Sequence, residues 1–241
     1  MLSSTHSATL FGVSALSVSV EANSGERGDP RVVLVGLPDA AVKESIDRVQ
    51  SSLATGGFSL PRTRVTINLA PADIKKEGNT FDLPVALCLL ASTKQLSVEK
   101  MAQFLIAGEL GLSGMLRNVR GGLSMALLAK EKNLRGVILP MDSAVEASFV
   151  QGVDVYGVHS LSETVDFLNG KINIQPLSNK HLGSQSDPKK SFVNDFNEVK
   201  GQKKLRRAVE VAVSGGHNLL MLSTYCLIYM QSKSLFCSYL I

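Results

Sequence analysis

The chain is 241 residues long, with 44% hydrophobic, 19% charged and 5% aromatic residues and no Trp, a globular composition that excludes wholesale disorder, collagen-like repeats and a multi-span membrane protein. This length suits one domain plus a piece of a second. The net charge of +4 is uneven: residues 1–170 hold 15 basic against 17 acidic side chains, residues 171–210 hold 9 against 4, and residues 211–241 add only Lys233, so the first 170 residues lack the overall basic excess of a nucleic-acid-binding face.

Taken in chain order, Ser17 to Glu21 alternates small polar and apolar residues, and Arg31 to Val35 is a β-branched run. The turn formers Asn23 to Pro30 between them predict a hairpin. Val42, Ile46, Val49 and Leu53 are spaced as one face of an amphipathic helix that Gly56-Gly57 ends. Val65, Ile67 and Leu69 alternate with polar neighbours as a half-buried strand. Asp82 is expected to cap a helix with Pro84 in its first turn that runs through Ala91; Cys88, in an apolar surround, reads as a core residue. Further strands are expected at Phe104–Ala107, Gly136–Pro140 and Val153–Val158. Helices are expected at Gly121–Asn133, Ser143–Phe149 and Leu161–Leu168. The rhythm predicts an α+β fold, a mixed sheet layered with helices.

Composition turns to Asn, Gln, Ser, Lys and Pro after Gly170, which marks residues 171–193 as a linker. A new segment, 194–222, follows with a helix from Lys203 to about Val213 and a buried strand from Asn218 to Leu222. Residues 223–241 hold three of the four Tyr and two of the three Cys but no acid and no Gly; this tail is expected to aggregate or stay disordered. Residues 219–241 could reach across a bilayer, yet Lys233 and several Ser, Thr and Gln residues interrupt them, so no membrane partner is expected. Three Cys make no disulfide framework, and the start carries neither a basic leader nor a compact apolar run, which together indicate a cytoplasmic protein.

Several motifs occur in order: Thr9-Leu-Phe-Gly-Val13, Val35-Gly-Leu-Pro-Asp39, Val42-Lys-Glu-Ser45, Ile67-Asn-Leu-Ala-Pro-Ala-Asp73, Lys75-Lys-Glu-Gly78, Phe81-Asp-Leu-Pro84, Gly108-Glu-Leu110 and Ile138-Leu-Pro140. Together they resemble the ComM/YifB family of magnesium-chelatase-like AAA+ ATPases, over residues 1 to about 222. The resemblance implies an amino-terminal domain at 1–170 with the fold of the Lon proteolytic domain, then the opening of a P-loop AAA+ module. It implies no chelatase chemistry. Intact relatives are expected to form homo-oligomeric rings, to use ATP and Mg²⁺, and to act on DNA in natural transformation.

Within the AAA+ opening, Val199, Gly201 and Gln202 match the segment that lies near the adenine. A phosphate-binding loop of the form GxxxxGK[ST] should follow the strand at Leu219–Leu222, because amide N–H groups, a Lys and a Ser/Thr must together hold the phosphates and Mg²⁺. No Gly follows Gly216, and the one Gly-Lys pair, Gly170-Lys171, precedes Ile172. The family pattern is therefore expected to be interrupted after Leu222, as by a frameshift, and this chain alone is expected to bind no nucleotide cofactor.

A Lon-type peptidase needs a Ser nucleophile and a desolvated Lys base. The family's signature falls on Gly78-Asn-Thr-Phe-Asp82, which puts Thr80 at the nucleophile position. The base position, after Gly121-Gly-Leu123, is Ser124, and Lys130 lies about 240° further round a helix. No catalytic residue is assigned, and Thr80 reads as a turn residue. His6, His159, His181 and His217 lack ligand spacing, so no metal site is expected. Asp73, Lys75, Lys76 and Glu77 read as surface turn chemistry that could face a partner. A Lon-like Ser/Thr peptidase remains one alternative. A DNA-binding module at 171–210, using Lys189, Lys190, Lys203, Lys204, Arg206 and Arg207, is another.

Overall fold

The computed structural model describes residues 2–26, 29–76, 78–177, 202–222 and 227–230, and the chain divides into two units, Met1–Ser184 and Gln185–Ile241. In the first unit the strands are β1 (Leu2–Phe11), β2 (Ser14–Glu26), β3 (Val32–Val35), β4 (Arg64–Ala70), β5 (Phe104–Ile106), β6 (Glu109–Leu110), β7 (Leu116–Arg117), β8 (Gly136–Pro140) and β9 (Asp154–Val158). The helices are α1 (Ala40–Thr55), α2 (Asp82–Ser92), α3 (Val98–Met101), α4 (Gly122–Glu131), α5 (Met141–Ala147) and α6 (Leu161–Leu168).

Seven strands form one sheet in the order β3-β4-β2-β1-β5-β8-β9, and β6 and β7 make a separate antiparallel pair. Pairing is antiparallel for β1 with β2 and for β2 with β4, and parallel for β3 with β4, β1 with β5, β5 with β8 and β8 with β9. The fold is α+β with a mixed sheet. Side chains alternate across a pleated strand, so two cores form. Val18, Val20, Val65, Ile67, Leu69, Ile106, Ile138 and Tyr156 share one face with α1, α2 and α6. Leu105, Val137, Leu139 and Val155 share the other with α4 and α5.

The central helix is α2, of whose eleven residues all but Ser92 are buried. A helix apolar all round belongs inside a layered core. Cys88 lies there with its thiol pushed up to about 12 by burial, donating to the Val20 carbonyl at 3.4 Å. That environment suits packing and leaves no reactive thiolate.

Two local expectations fail. The first hairpin is β1–β2, running from Leu2↔Asn23 to Phe11↔Ser14, whereas the run at Val32–Val35 pairs in parallel with β4. Apolar periodicity hides β1, because its α2-facing side carries Ser3, Thr5, Ser7 and Thr9, all buried. Only burial by α2 makes that hydroxyl row an interior surface. Ser3 Oγ donates to the Cys88 carbonyl at 3.1 Å, while the Thr5 and Ser7 hydroxyls find no partner among the described residues. The second failure is the Asp82 cap. Phe81 occupies the N-cap position without a side-chain hydrogen bond, and the Asp82 carboxylate is committed elsewhere.

In the second unit, α7 (Lys203–Ser214) turns Ala212 inward and leaves Lys203, Lys204 and Arg207 exposed. Strand β10 (Leu219–Leu222) pairs antiparallel with β11 (Leu227–Met230). Residues 227–230 of the expected disordered tail are thus a strand; the rest of that tail, and residues 178–193 of the expected linker, lie outside the described residues. Among the described residues no helix is long and apolar enough to cross a membrane.

Candidate functional site

The buried charged side chains among the described residues, Lys76 and Asp82, lie where β3 passes into α1 and β4 passes into α2. Gly36 makes the first passage possible. Its φ is +101°, and a Cβ there would sit 2.2 Å from the Leu69 carbonyl oxygen, so only glycine lets the two backbones approach this closely. Asp39 then caps α1, its Oδ1 accepting from the Val42 amide at 2.8 Å, and its Oδ2 accepts from the Gly78 amide at 3.3 Å. One carboxylate thereby ties the start of α1 to the loop before α2.

That loop carries Lys76. Its backbone pairs with the other passage, donating to the Leu37 carbonyl at 3.3 Å and accepting from the Asp39 amide at 3.1 Å. Its side chain is fully buried and its ammonium donates to the Pro71 carbonyl. Burial lowers the ammonium from its ordinary value of 10.5, with Asp73 opposing. Asp73 and Lys75 are exposed, so the turn has one surface edge. Lys76 is not the surface residue expected from sequence; backbone pairing on both sides of the loop draws it inward. Glu77 lies outside the described residues.

Beside it, Arg48 of α1 reaches the foot of α2. Arg48 Nε donates to Asp82 Oδ2 at 3.0 Å, and Nη2 donates to Asp82 Oδ1 at 3.1 Å and to Asn79 Oδ1 at 3.0 Å. The Leu110 amide adds a bond to Asp82 Oδ2 at 3.1 Å. Burial pushes the Asp82 carboxyl above its usual range, against the pull of Arg48 and the Leu110 amide. The guanidinium is raised through its bond to Asp82. This planar two-bond fork is geometry an Arg supplies and a Lys does not. Read from sequence, Asp82 is only a helix cap and its pairing with Arg48 goes unseen. The available signal was that Arg48 lies between Ser45 and Ser52, a polar row beside the apolar stripe of α1, and both serines are buried.

Thr80 is half-buried. Its carbonyl accepts from the Gly108 amide at 3.0 Å, while the Gly108 carbonyl accepts from the Leu83 amide at 3.0 Å. Ser124, on α4, donates its hydroxyl to the Val13 carbonyl at 2.7 Å. Among the described residues neither hydroxyl bonds a basic side chain. Lys130 lies beside the Gly152 turn, where an added Cβ would sit 3.6 Å from its Nζ.

Of the adenine-side residues, Val199 and Gly201 lie outside the described residues, and Gln202 opens α7 with φ +47°. A phosphate loop would have to follow β10, but the next described residues return antiparallel as β11 and carry neither Gly nor Lys. Among the described residues after Gly216 there is no Gly or Lys of the kind a phosphate loop uses. Of the basic residues named for DNA, Lys189 and Lys190 lie outside the described residues, and Arg207 pairs with Glu210 at 3.3 Å.

The sequence that builds this mixed sheet and its pinned junction matches one family. Residues 20–143 match the model for subunit ChlI of Mg-chelatase, and residues 195–225 match the model for magnesium chelatase, subunit ChlI. The chain is 40% identical over 224 residues to competence protein ComM of Haemophilus influenzae and 36% identical over 221 residues to the uncharacterized protein YifB of Escherichia coli, alignments that cover 90% and 92% of this chain. It belongs to the ComM/YifB family of magnesium-chelatase-like proteins, and it spans 42% of the length of each of these relatives. A shorter likeness, 32% identity over 104 residues covering 43% of the chain and 22% of the relative, links it to DNA repair protein RadA of Aquifex aeolicus.

Proposed function

We propose that residues 1–170 are a Lon-proteolytic-domain-like scaffold without peptidase activity, the amino-terminal part of a cytoplasmic ComM/YifB-type AAA+ protein that processes DNA. The observation that carries the non-proteolytic reading is the Ser124 hydroxyl bonded to the Val13 carbonyl at 2.7 Å: the position expected to hold the base carries a group that takes up no proton, and among the described residues no basic side chain bonds Thr80 to activate it. The RadA relative is a DNA repair protein, which supports the DNA context, and the ComM relative is a competence protein, which supports a role in competence.

In this reading ATP and Mg²⁺ belong to the AAA+ module that begins at 194–222, and homo-oligomer formation and DNA contact belong to the longer family architecture. The 241-residue chain is expected to cleave neither casein nor short peptides, with Thr80→Ala indistinguishable from the parent. Calorimetric titration with Mg-ATP is expected to give no saturable heat. Cleavage abolished by Thr80→Ala would establish the peptidase alternative, and saturable nucleotide binding would overturn the assignment of ATP outside this chain.

A further inference from the structure

The residues that follow α6 do not leave the domain at once. Gly170, at φ +74°, ends the helix, and Lys171 folds back with its amide on the Asp166 carbonyl at 2.8 Å and its ammonium on Asp166 Oδ1 at 2.9 Å. Ile172 and Asn173 are exposed, Ile174 is half-buried, Gln175 and Pro176 are exposed, and Leu177 is half-buried. Ile174 packs on the core that holds Tyr156 and Val158. Leu177 packs on the core that holds Val155. Adjacent residues of β9 point to opposite faces of the sheet, so the chain from Ile174 to Leu177 crosses from one face to the other around the β9 edge. The Leu177 amide donates to the Val155 carbonyl at 2.8 Å on the way.

What lies beneath is an edge with few defences. Strand β9 is Asp-Val-Tyr-Gly-Val, pairs among the described residues only with β8 within the sheet, and is buried from Val155 to Val158. Its only charge is at its first residue, and it contains no Lys, Pro or bulge, the usual devices that stop an edge from pairing with another chain. An extended apolar edge recruits whichever strand fits it, and a second copy of this chain presents the same strand.

We propose that residues 171–177 are a strap that guards the β9 edge, and that releasing it opens this edge to antiparallel pairing with β9 of a second copy. Past Lys171 and Ile172, whose amides stay on the Asp166 carbonyl, the strap holds by two half-buried apolar anchors and the Leu177 backbone hydrogen bond, so that part opens locally while the rest of the sheet stays folded. It therefore joins the domain's self-association to whatever pulls on the chain after Leu177. This goes beyond the scaffold role and does not depend on it.

The test uses the full 241-residue chain. Hydrogen exchange of the parent is expected to show the Leu177 amide protected at least tenfold over unstructured chain. Ile174→Asp/Leu177→Asp is expected to lose that protection and to raise the mass seen by light scattering, above the parent's at equal concentration and increasingly so with concentration. Leu177→Pro, which keeps apolar bulk but has no amide to donate, should show the same direction with a smaller rise. A parent whose Leu177 amide exchanges like free chain would overturn the strap, and variants that lose protection yet keep the parent's mass throughout would overturn its guarding of a self-pairing edge.

Discussion

Removing the Arg48 guanidinium strands a carboxylate whose side chain is 0% exposed. A broken buried pair costs about 3–5 kcal/mol. Asp82 is already raised by burial and escapes part of that cost by protonating, so Arg48→Met is expected to lower the urea-unfolding free energy by about 3 kcal/mol. Arg48→Met/Asp82→Leu should recover most of it, since no charge is left buried; a single-variant loss below about 1 kcal/mol would show that the pair supports nothing. Lys76 has the opposite pH logic. Its folded value is lowered from 10.5, so between that value and 10.5 the unfolded chain binds a proton that the folded chain has shed. Stability from this group rises with pH through that window, and below it the cost of burying the charge is present in full. Lys76→Met is therefore expected to melt higher than the parent near neutrality, with the two melting temperatures converging toward pH 10.5. A difference independent of pH would contradict this.

Among the elements, β1 and the β3–α1 passage make unlike demands. Strand β1 buries Thr5 and Ser7 hydroxyls that have no partner among the described residues, and a buried unsatisfied hydroxyl costs about 1–3 kcal/mol. Ser7→Ala or Thr5→Val should thus be neutral or stabilising by about 1 kcal/mol in denaturant unfolding. The β3–α1 passage tolerates nothing larger than glycine: Gly36→Ala combines φ +101° with backbone contact at 2.2 Å. Gly12→Ala, at φ +61° with nothing within 4 Å, is the control that isolates conformation from contact. The control should lose about 1 kcal/mol, and Gly36→Ala several times that; equal losses would mean the Leu69 backbone moves aside. The regular helices and strands were legible because their periods were: Val42, Ile46, Val49 and Leu53 lie on α1, and Val65, Ile67 and Leu69 on β4. Strand β1 was not, because periodicity reports hydrophobicity and its inward row is hydroxyl.

At the scale of the whole molecule, α2 separates stability from surface. Leu87→Ala, at the fully buried middle of that helix, is expected to cost about 2–5 kcal/mol through lost transfer energy and a cavity. Val211→Ala, on the exposed side of α7, should stay within about 0.5 kcal/mol. A global unfolding curve equally sensitive to both would mean that α2 is not the centre of the cooperative unit. By itself the sequence determined the family, the α+β class, the helix periods, and that its 241 residues contain no GxxxxGK[ST] loop, because these are local patterns or short strings that need no knowledge of neighbours. The tertiary structure alone decided that β2 pairs with β1 rather than β3, that Lys76 is interior, that Asp82 serves Arg48 rather than its own helix, and that residues 171–177 wrap an edge. Each joins groups far apart along the chain or turns on which face another element covers, and residue spacing records neither.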